Sequence, residues 1–325
     1  MNLNLTKISF LCMIIFSTLM TMSSSNWLSM WMGMEINLFA IIPILNLKMS
    51  IYSIESTMKY FMIQAFASIL LLTFIINKSM FFMSNNNFLI ILPLLIKLSL
   101  MPFHLWLPSM LEGLNWMSCL IMMTWQKIAP MIMISYLNLS KSLLMTMILI
   151  FINSMFGMNQ NSIRKILAMS SINNSTWMLM MILMNENMWM NYFFIYSILN
   201  ILIINILKNY NINYMNQLKF FNLNFFLKLN FIMLIFSIMG LPPLLGFMMK
   251  WMLIKTLIYN KMFLIIMMLI ILSILNLYFY IKMTYFMLFN FNLFNKWFLQ
   301  KKKKNNFNIF MFINFFTPFF IYLIY

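Results

Sequence analysis

Five lysines and one glutamate stand where lipid-compatible sequence should run. Lys97, Lys127, Lys250, Lys255 and Lys282, together with Glu35, fall inside apolar runs long enough to cross a bilayer. An ionised side chain at mid-membrane costs about 2.5–3.5 kcal/mol on insertion scales, so such groups are expected to face a protein interior or a water-filled cavity. Three of the lysines adjoin prolines: Lys97 between Pro93 and Pro102 in LPLLIKLSLMPFH, Lys127 three residues before Pro130 in TWQKIAP, and Lys250 beyond Pro242 and Pro243 in GLPPLLGF. Proline cannot continue the helical hydrogen-bond ladder, and carbonyls freed at membrane depth need protein or water to satisfy them. A buried amine beside a hydrated helix break can carry a proton, because burial disfavours its charged form. Glu35, the only acidic residue near mid-membrane, is the candidate switch for that charge. Lys255 and Lys282 lie nearer the ends of their runs, where a long side chain snorkels to the headgroups. His104, the single histidine, is either a further polar group of the broken segment or a cap for its freed backbone.

The elements that must position these groups are membrane helices. The chain has 325 residues, 64% of them apolar and 8% charged, against about a quarter charged in water-soluble proteins. Residue usage is skewed toward 42 Met and 35 Phe, with no Val, no Asp and one arginine, Arg164. The favoured residues have codons built from A and T, and Met joins them only where ATA encodes it, as in many animal mitochondria. An organelle-encoded origin, in an invertebrate with an A+T-rich mitochondrial genome, accounts for the Met excess better than a methionine-lined copper path. The first apolar run has no signal-peptide cleavage site after it and no Arg-rich transit segment before it. Cys12 and Cys119 are too few and too far apart for a metal cluster or a disulfide framework, and a single His makes no metal site.

Apolar runs predict an all-α, polytopic membrane protein of about eleven spans, at 8–25, 27–46, 58–76, 88–105, 115–136, 142–158, 164–184, 189–207, 229–257, 262–288 and 308–324. The short connections leave room for one membrane-embedded domain over 1–325. Loops then alternate sides. The N-terminal segment and the even loops hold Lys7, Lys48, Lys59, Arg164, Lys165, Lys208, Lys219, Lys228, Lys296 and the Lys301–Lys304 run, whereas the odd loops hold Lys78, Lys141 and Lys261. Basic residues favour the negative compartment, so the N-terminus is expected on the matrix side, and the net charge of +17 expresses this bias rather than a nucleic-acid partner. The fourth and ninth spans are the clearest proline-interrupted ones. Five helices apart, they run in opposite senses, as in the inverted repeats of transporters. This suggests repeat units near 1–137 and 142–289, with 308–324 as an added helix.

The strings WMGMEINLFAIIP, MKYFMIQAFASILLL, LPLLIKLSLMPFHLWLPSMLEGL, CLIMMTWQKIAPM, NQNSIRKILAMSSI and GLPPLLGFMMKW, in that order, resemble the second-subunit family of the membrane arm of mitochondrial NADH–ubiquinone oxidoreductase, respiratory complex I. The resemblance covers roughly residues 27–255. It implies an antiporter-like fold in the inner mitochondrial membrane and a proton path through a glutamate and lysines that fall at Glu35, Lys97, Lys127 and Lys250. Two departures stand out: Ser109 replaces a common Glu, with Glu112 nearby, and Asn174 and Thr176 replace a His and a Gly.

The chain has no visible means of oxidising NADH. Its five glycines form no dinucleotide fingerprint, and its two cysteines hold no iron–sulfur cluster. The resemblance implies that NADH, FMN, iron–sulfur clusters and ubiquinone belong to partner subunits, with other membrane-arm subunits and phospholipids as this chain's own partners in a hetero-oligomer. Two rival readings are a stand-alone cation/proton antiporter and an assembly scaffold with no proton path. The absence of Asp argues against a metal-cation site in the first.

Overall fold

The computed structural model describes residues 5–46, 50–80, 87–137, 157, 160–184, 187–218, 225–242 and 244–288. These are helical apart from short connections and one isolated antiparallel bridge between Ser162 and Tyr214. Seven described helical stretches, with Trp116–Ser135 counted as one, are long and apolar enough to cross a membrane. The expected spans 142–158 (Gly157 aside) and 308–324 lie outside the described residues, as does the Lys301–Lys304 run.

Two compact units form. The first contains α1 (Leu5–Ser23), α2 (Trp27–Leu45), α3 (Ile51–Met80), α4 (Asn87–Lys97), α5 (Trp106–Gly113), α6 (Trp116–Met123), α7 (Ile128–Ser135) and, from Arg164 on, α8 (Ile163–Leu183). α1 packs along α2, α3 packs on α2 and on both α4 and α5, and α7 packs on α1 and α4. The second unit contains, from Met190 on, α9 (Trp189–Tyr210), a helical turn α10 (Met215–Leu218), α11 (Phe225–Met239), α12 (Leu245–Tyr259) and α13 (Phe263–Leu288). There α13 packs on α10, α11 and α12.

α3 shows how the bilayer inverts the usual amphipathic pattern. Its buried stripe is Ser53, Ser56, Thr57, Tyr60, Gln64, Ala67, Ser68, Leu71 and Ile75, at helical spacing, while Met58, Met62, Phe66 and Ile69 are 57–65% exposed. Apolar side chains face outward because hydrocarbon solvates them, and the polar ones turn inward, where partners exist. α8 goes further. Residues 166–183 are buried on every side, and its hydroxyls bond back to its own carbonyls, as in Ser171 to Ala168 and Ser175 to Ile172.

Three expected spans are broken. The fourth was expected to run to residue 105, but α4 stops at Lys97. Leu100 N–H bonds Leu95 carbonyl and Ser99 N–H bonds Ile96 carbonyl, the paired bonds of a Schellman cap, with Ser99 in the left-handed region at φ 57°. The chain then turns through a cis Met101–Pro102 peptide and re-enters helix at Trp106. At 1.5 Å per residue, α4 and α5 reach only about 16 and 12 Å, so neither alone crosses a hydrocarbon layer of about 30 Å. The fifth span divides into α6, a 3-10 turn at Trp125–Lys127 and α7; Pro130 falls in the first turn of α7, where its missing N–H has no intrahelical role. The ninth divides into α11 and α12 at Gly240. Gly240 sits at φ +79°, and a second Schellman cap forms from Leu241 N–H to Phe236 and Gly240 N–H to Ser237.

Candidate functional site

Each of the three proline-associated lysines is buried and lies at, or reaches back to, one of these breaks. Lys97 is the last residue of α4, Lys127 the last of the 3-10 turn, and Lys250 lies in α12; they are 9%, 3% and 6% exposed. Lys127 Nζ donates to the Ser171 carbonyl of α8 at 2.6 Å. Lys250 Nζ reaches back across the break to donate to the carbonyl of Met239, the last residue of α11. A Cβ on Gly240 would lie 3.0–3.1 Å from Lys250 Cδ, Cε and Nζ, so the glycine makes the room in which that side chain lies.

In the first unit, Lys97 and Lys127 line one cavity. The cavity measures about 20 Å³, room for a water molecule. Asn37 and Met34 of α2, Tyr60 and Gln64 of α3, Ser99 of the broken segment and Gln126 beside Lys127 share the lining. A small polar space lined by two lysines, a phenol and amides can orient water, and a lysine amine turned into it, as Lys127 would be on leaving the Ser171 carbonyl, can exchange a proton without exposing it to hydrocarbon. Glu35 is half-buried on α2; its carboxylate acts electrostatically on Lys97 and Tyr60. Among the described residues, ion pairs closer than 4 Å are Glu55–Lys59 and Glu112–Lys165, so the Glu35 carboxylate acts on Lys97 over a longer gap.

His104 lies in the same broken segment, 3% exposed, with Nδ1 3.3 Å from the Pro102 carbonyl, and it is not among the lining residues of the cavity. Lys255 is exposed and lies 3.6 Å over the Trp251 ring centroid, and Lys282 is half-buried on α13. Ser109 is exposed and bonds the Trp106 carbonyl, while Glu112 pairs with Lys165 outside the cavity. Asn174 and Thr176 are buried in α8, 6% and 4% exposed. Cys12 is exposed and Cys119 buried, both free thiols. Among the described residues, no group of three or more His, Cys, Asp or Glu is placed to hold a metal ion.

Residues 24–276 match the family described as NADH:quinone oxidoreductase/Mrp antiporter, TM. The chain is 41% identical over 311 residues to NADH-ubiquinone oxidoreductase chain 2 of Anopheles gambiae, across 92% of this chain and 89% of the relative. It belongs to the NADH-ubiquinone oxidoreductase chain 2 family. Solved structures agree on the fold. Respiratory complex I from Thermus thermophilus with bound aureothin matches with TM-score 0.78 at 19% identity, over 87% of this chain and 71% of that one. The Mrp complex from Dietzia sp. DQ12-45-1b matches with TM-score 0.75 at 14% identity, over 84% and 59%. The matched stretch of this family member contains Glu35, Lys97, His104, Lys127 and Lys250.

A search restricted to charges passes over half the cavity. Asn37, Tyr60, Gln64, Ser99 and Gln126 are uncharged, yet each sits in an apolar run where a polar side chain needs a partner. Tyr60 and Gln64 stand four apart, on one helical face, and that spacing was the available signal.

Proposed function

We propose that this chain is a core membrane-arm subunit of the proton-translocating NADH:ubiquinone oxidoreductase of the mitochondrial inner membrane, carrying protons from the matrix to the intermembrane space through Glu35, Lys97, Lys127 and Lys250. The cavity shared by Lys97 and Lys127, with the Glu35 carboxylate acting on Lys97, carries this reading. Oxidation of NADH and reduction of ubiquinone take place in partner subunits, which hold the FMN and iron–sulfur clusters. Their signal reaches Glu35 and alters its hold on Lys97. The Lys97 ammonium then gives a proton to water in the cavity, that water gives one to a neutral Lys127 amine, and no electron moves within this chain. Lys250 serves the same exchange in the second repeat, residues 142–289, as Lys97 and Lys127 do in the first, 1–137. His104 holds its own turn and is the lesser candidate. The N-terminus faces the matrix in this reading, which the lysine asymmetry of the loops supports.

Proton counting tests this. In the assembled complex reconstituted into vesicles, Lys97→Met, Lys127→Met or Lys250→Met is expected to remove this subunit's share of protons translocated per two electrons. Undiminished stoichiometry in all three variants would refute the relay. The chain is expected to migrate with a very large NADH-oxidising assembly in native electrophoresis; migration alone would identify a free antiporter instead.

A further inference from the structure

The Lys97–Lys127 cavity is crossed by a pair of amides that neither give up nor accept protons in the physiological range. Asn37 Nδ2 donates to Gln126 Oε1 at 3.0 Å, and Gln126 Nε2 donates back to Asn37 Oδ1 at 3.1 Å. The two residues are 89 apart in sequence. The Tyr60 hydroxyl also donates to Gln126 Oε1, at 3.4 Å. All three residues line the cavity with both lysines. Asn37 lies on α2, the helix of Glu35, and is 5% exposed; Gln126 lies in the 3-10 turn immediately before Lys127.

A reciprocal amide pair is a two-point attachment, so it transmits displacement and twist, where a single bond would only hinge. A 3-10 turn within a helical run is a site of local hinging. The attachment therefore ties the helix bearing the carboxylate to the turn bearing the second amine, across the space where the proton passes. We infer that the Asn37–Gln126 amide pair is a positioning element that couples α2 to the Trp125–Lys127 turn and sets whether the Lys127 amine faces Lys97 across the cavity or is drawn to the Ser171 carbonyl. The inference rests on the proton-relay reading above. The Tyr60 hydroxyl adds a third contact, to the same Gln126 oxygen.

The test is proton translocation per two electrons by the assembled complex in vesicles, with Lys97→Met as reference. Asn37→Leu and Gln126→Met, which keep size and remove the amide, are expected to lower the ratio toward that of Lys97→Met. The exchanged double variant Asn37→Gln with Gln126→Asn moves one methylene across the pair and is expected to restore more than half of the loss. Gln126→Glu supplies a readout that packing alone would not move. A protonated carboxyl can both accept from Asn37 Nδ2 and donate to Asn37 Oδ1, whereas a carboxylate can only accept. Its translocation share is therefore expected to rise as pH falls and to fall as pH rises, beyond the profile of the unmodified complex. Full translocation by both single variants, failure of the exchanged pair to restore it, or an unchanged pH profile in Gln126→Glu each overturns the inference. If a single variant does not assemble, the Gln126→Glu profile decides alone, and failure of that variant to assemble also counts against a role in positioning rather than in folding. Should Lys97→Met itself keep full stoichiometry, the relay fails and not merely the amide coupling.

Discussion

Two of the candidate proton carriers are held by backbone carbonyls, Lys127 by Ser171 and Lys250 by Met239, and such neighbours are as informative as the lysines. Gly240 occupies the left-handed region, where a side chain costs on the order of 1–2 kcal/mol, and its missing Cβ leaves room for the Lys250 methylenes. Gly240→Ala is therefore expected to destabilise the second unit by about that amount and to displace the amine from the Met239 carbonyl. A lowered thermal midpoint together with a loss of translocation like that of Lys250→Met would bear this out; a change in stability alone would place Lys250 beyond the reach of the break. Ser99 presents the opposite case. It adopts φ 57° without being glycine, so Ser99→Gly removes strain from the cap that ends α4 while adding freedom to the unfolded chain. The expected outcome is a gain of up to about 1 kcal/mol in resistance to denaturant, with Lys97 still at the end of its helix.

At the scale of elements, the breaks need anchors, because two short helix segments have few intrahelical bonds to lose. α5 is anchored by the first turn of α8. Arg164 Nη1 donates to the Glu112 carbonyl at 2.7 Å and its guanidinium lies 5.1 Å from the Trp116 ring centroid, while Lys165 Nζ is 2.6 Å from Glu112 Oε2. The arginine thus satisfies a carbonyl that the end of α5 leaves without a helical partner. The part-exposed Glu112–Lys165 pair is worth little by comparison, 0–1 kcal/mol for such pairs as a rule of thumb, roughly. Arg164→Met is expected to cost about 1–2 kcal/mol from a charge-assisted bond and a cation–π contact. Arg164→Lys is expected to recover only part of that, because an ammonium lacks the planar fork. Thermal denaturation of the assembled complex carrying each variant measures it, and an equal midpoint for Arg164→Met and the unmodified chain would remove the anchor role. Close approach helps the other break hold: a Cβ on Gly246 would lie 1.7 Å from the Ser237 carbonyl oxygen, so α12 starts against the end of α11 in a way no larger residue permits.

At the scale of the whole molecule, the described residues turn large apolar side chains to the surroundings and hold their buried polar ones within an interior that is itself mostly apolar. Phe16, Phe39, Met62, Phe66, Phe194 and Met267 are all 59–66% exposed, an outward face that water would not tolerate and hydrocarbon or partner subunits would. Gln64 and Phe66 of α3 make the contrast measurable, since they are two residues apart and point to opposite sides of one helix. Phe66→Asp is expected to cost about 2.5–3.5 kcal/mol of insertion free energy if it meets lipid at mid-membrane. Gln64→Leu is expected to leave insertion intact and to disturb only the cavity. The amounts of each variant recovered in the membrane fraction and in the assembled complex separate the two outcomes. Equal recovery of Phe66→Asp and the unmodified chain would mean that this face is covered by polar protein.

Much of this was legible before folding, and the reason is local. A bilayer imposes a length on every apolar run and a cost on every charge inside one, and both constraints are written residue by residue. They mark α1, α2, α8, α9 and α13, and they single out Lys97, Lys127, Lys250 and Glu35. Proline chemistry likewise marks the breaks after Lys97 and before Lys250, although not that α4 would stop at Lys97 or that a 3-10 turn would precede Pro130. What only the tertiary structure decided is which helix faces meet. Leucine, methionine and phenylalanine serve equally well against lipid and against another helix, so no hydrophobic contrast tells the two apart along the chain. The meeting of Lys97 with Lys127 in one cavity, of Lys127 with the Ser171 carbonyl, and of Asn37 with Gln126 across 89 residues depends on helix packing and on uncharged polar side chains finding partners, and neither leaves a mark within a single run.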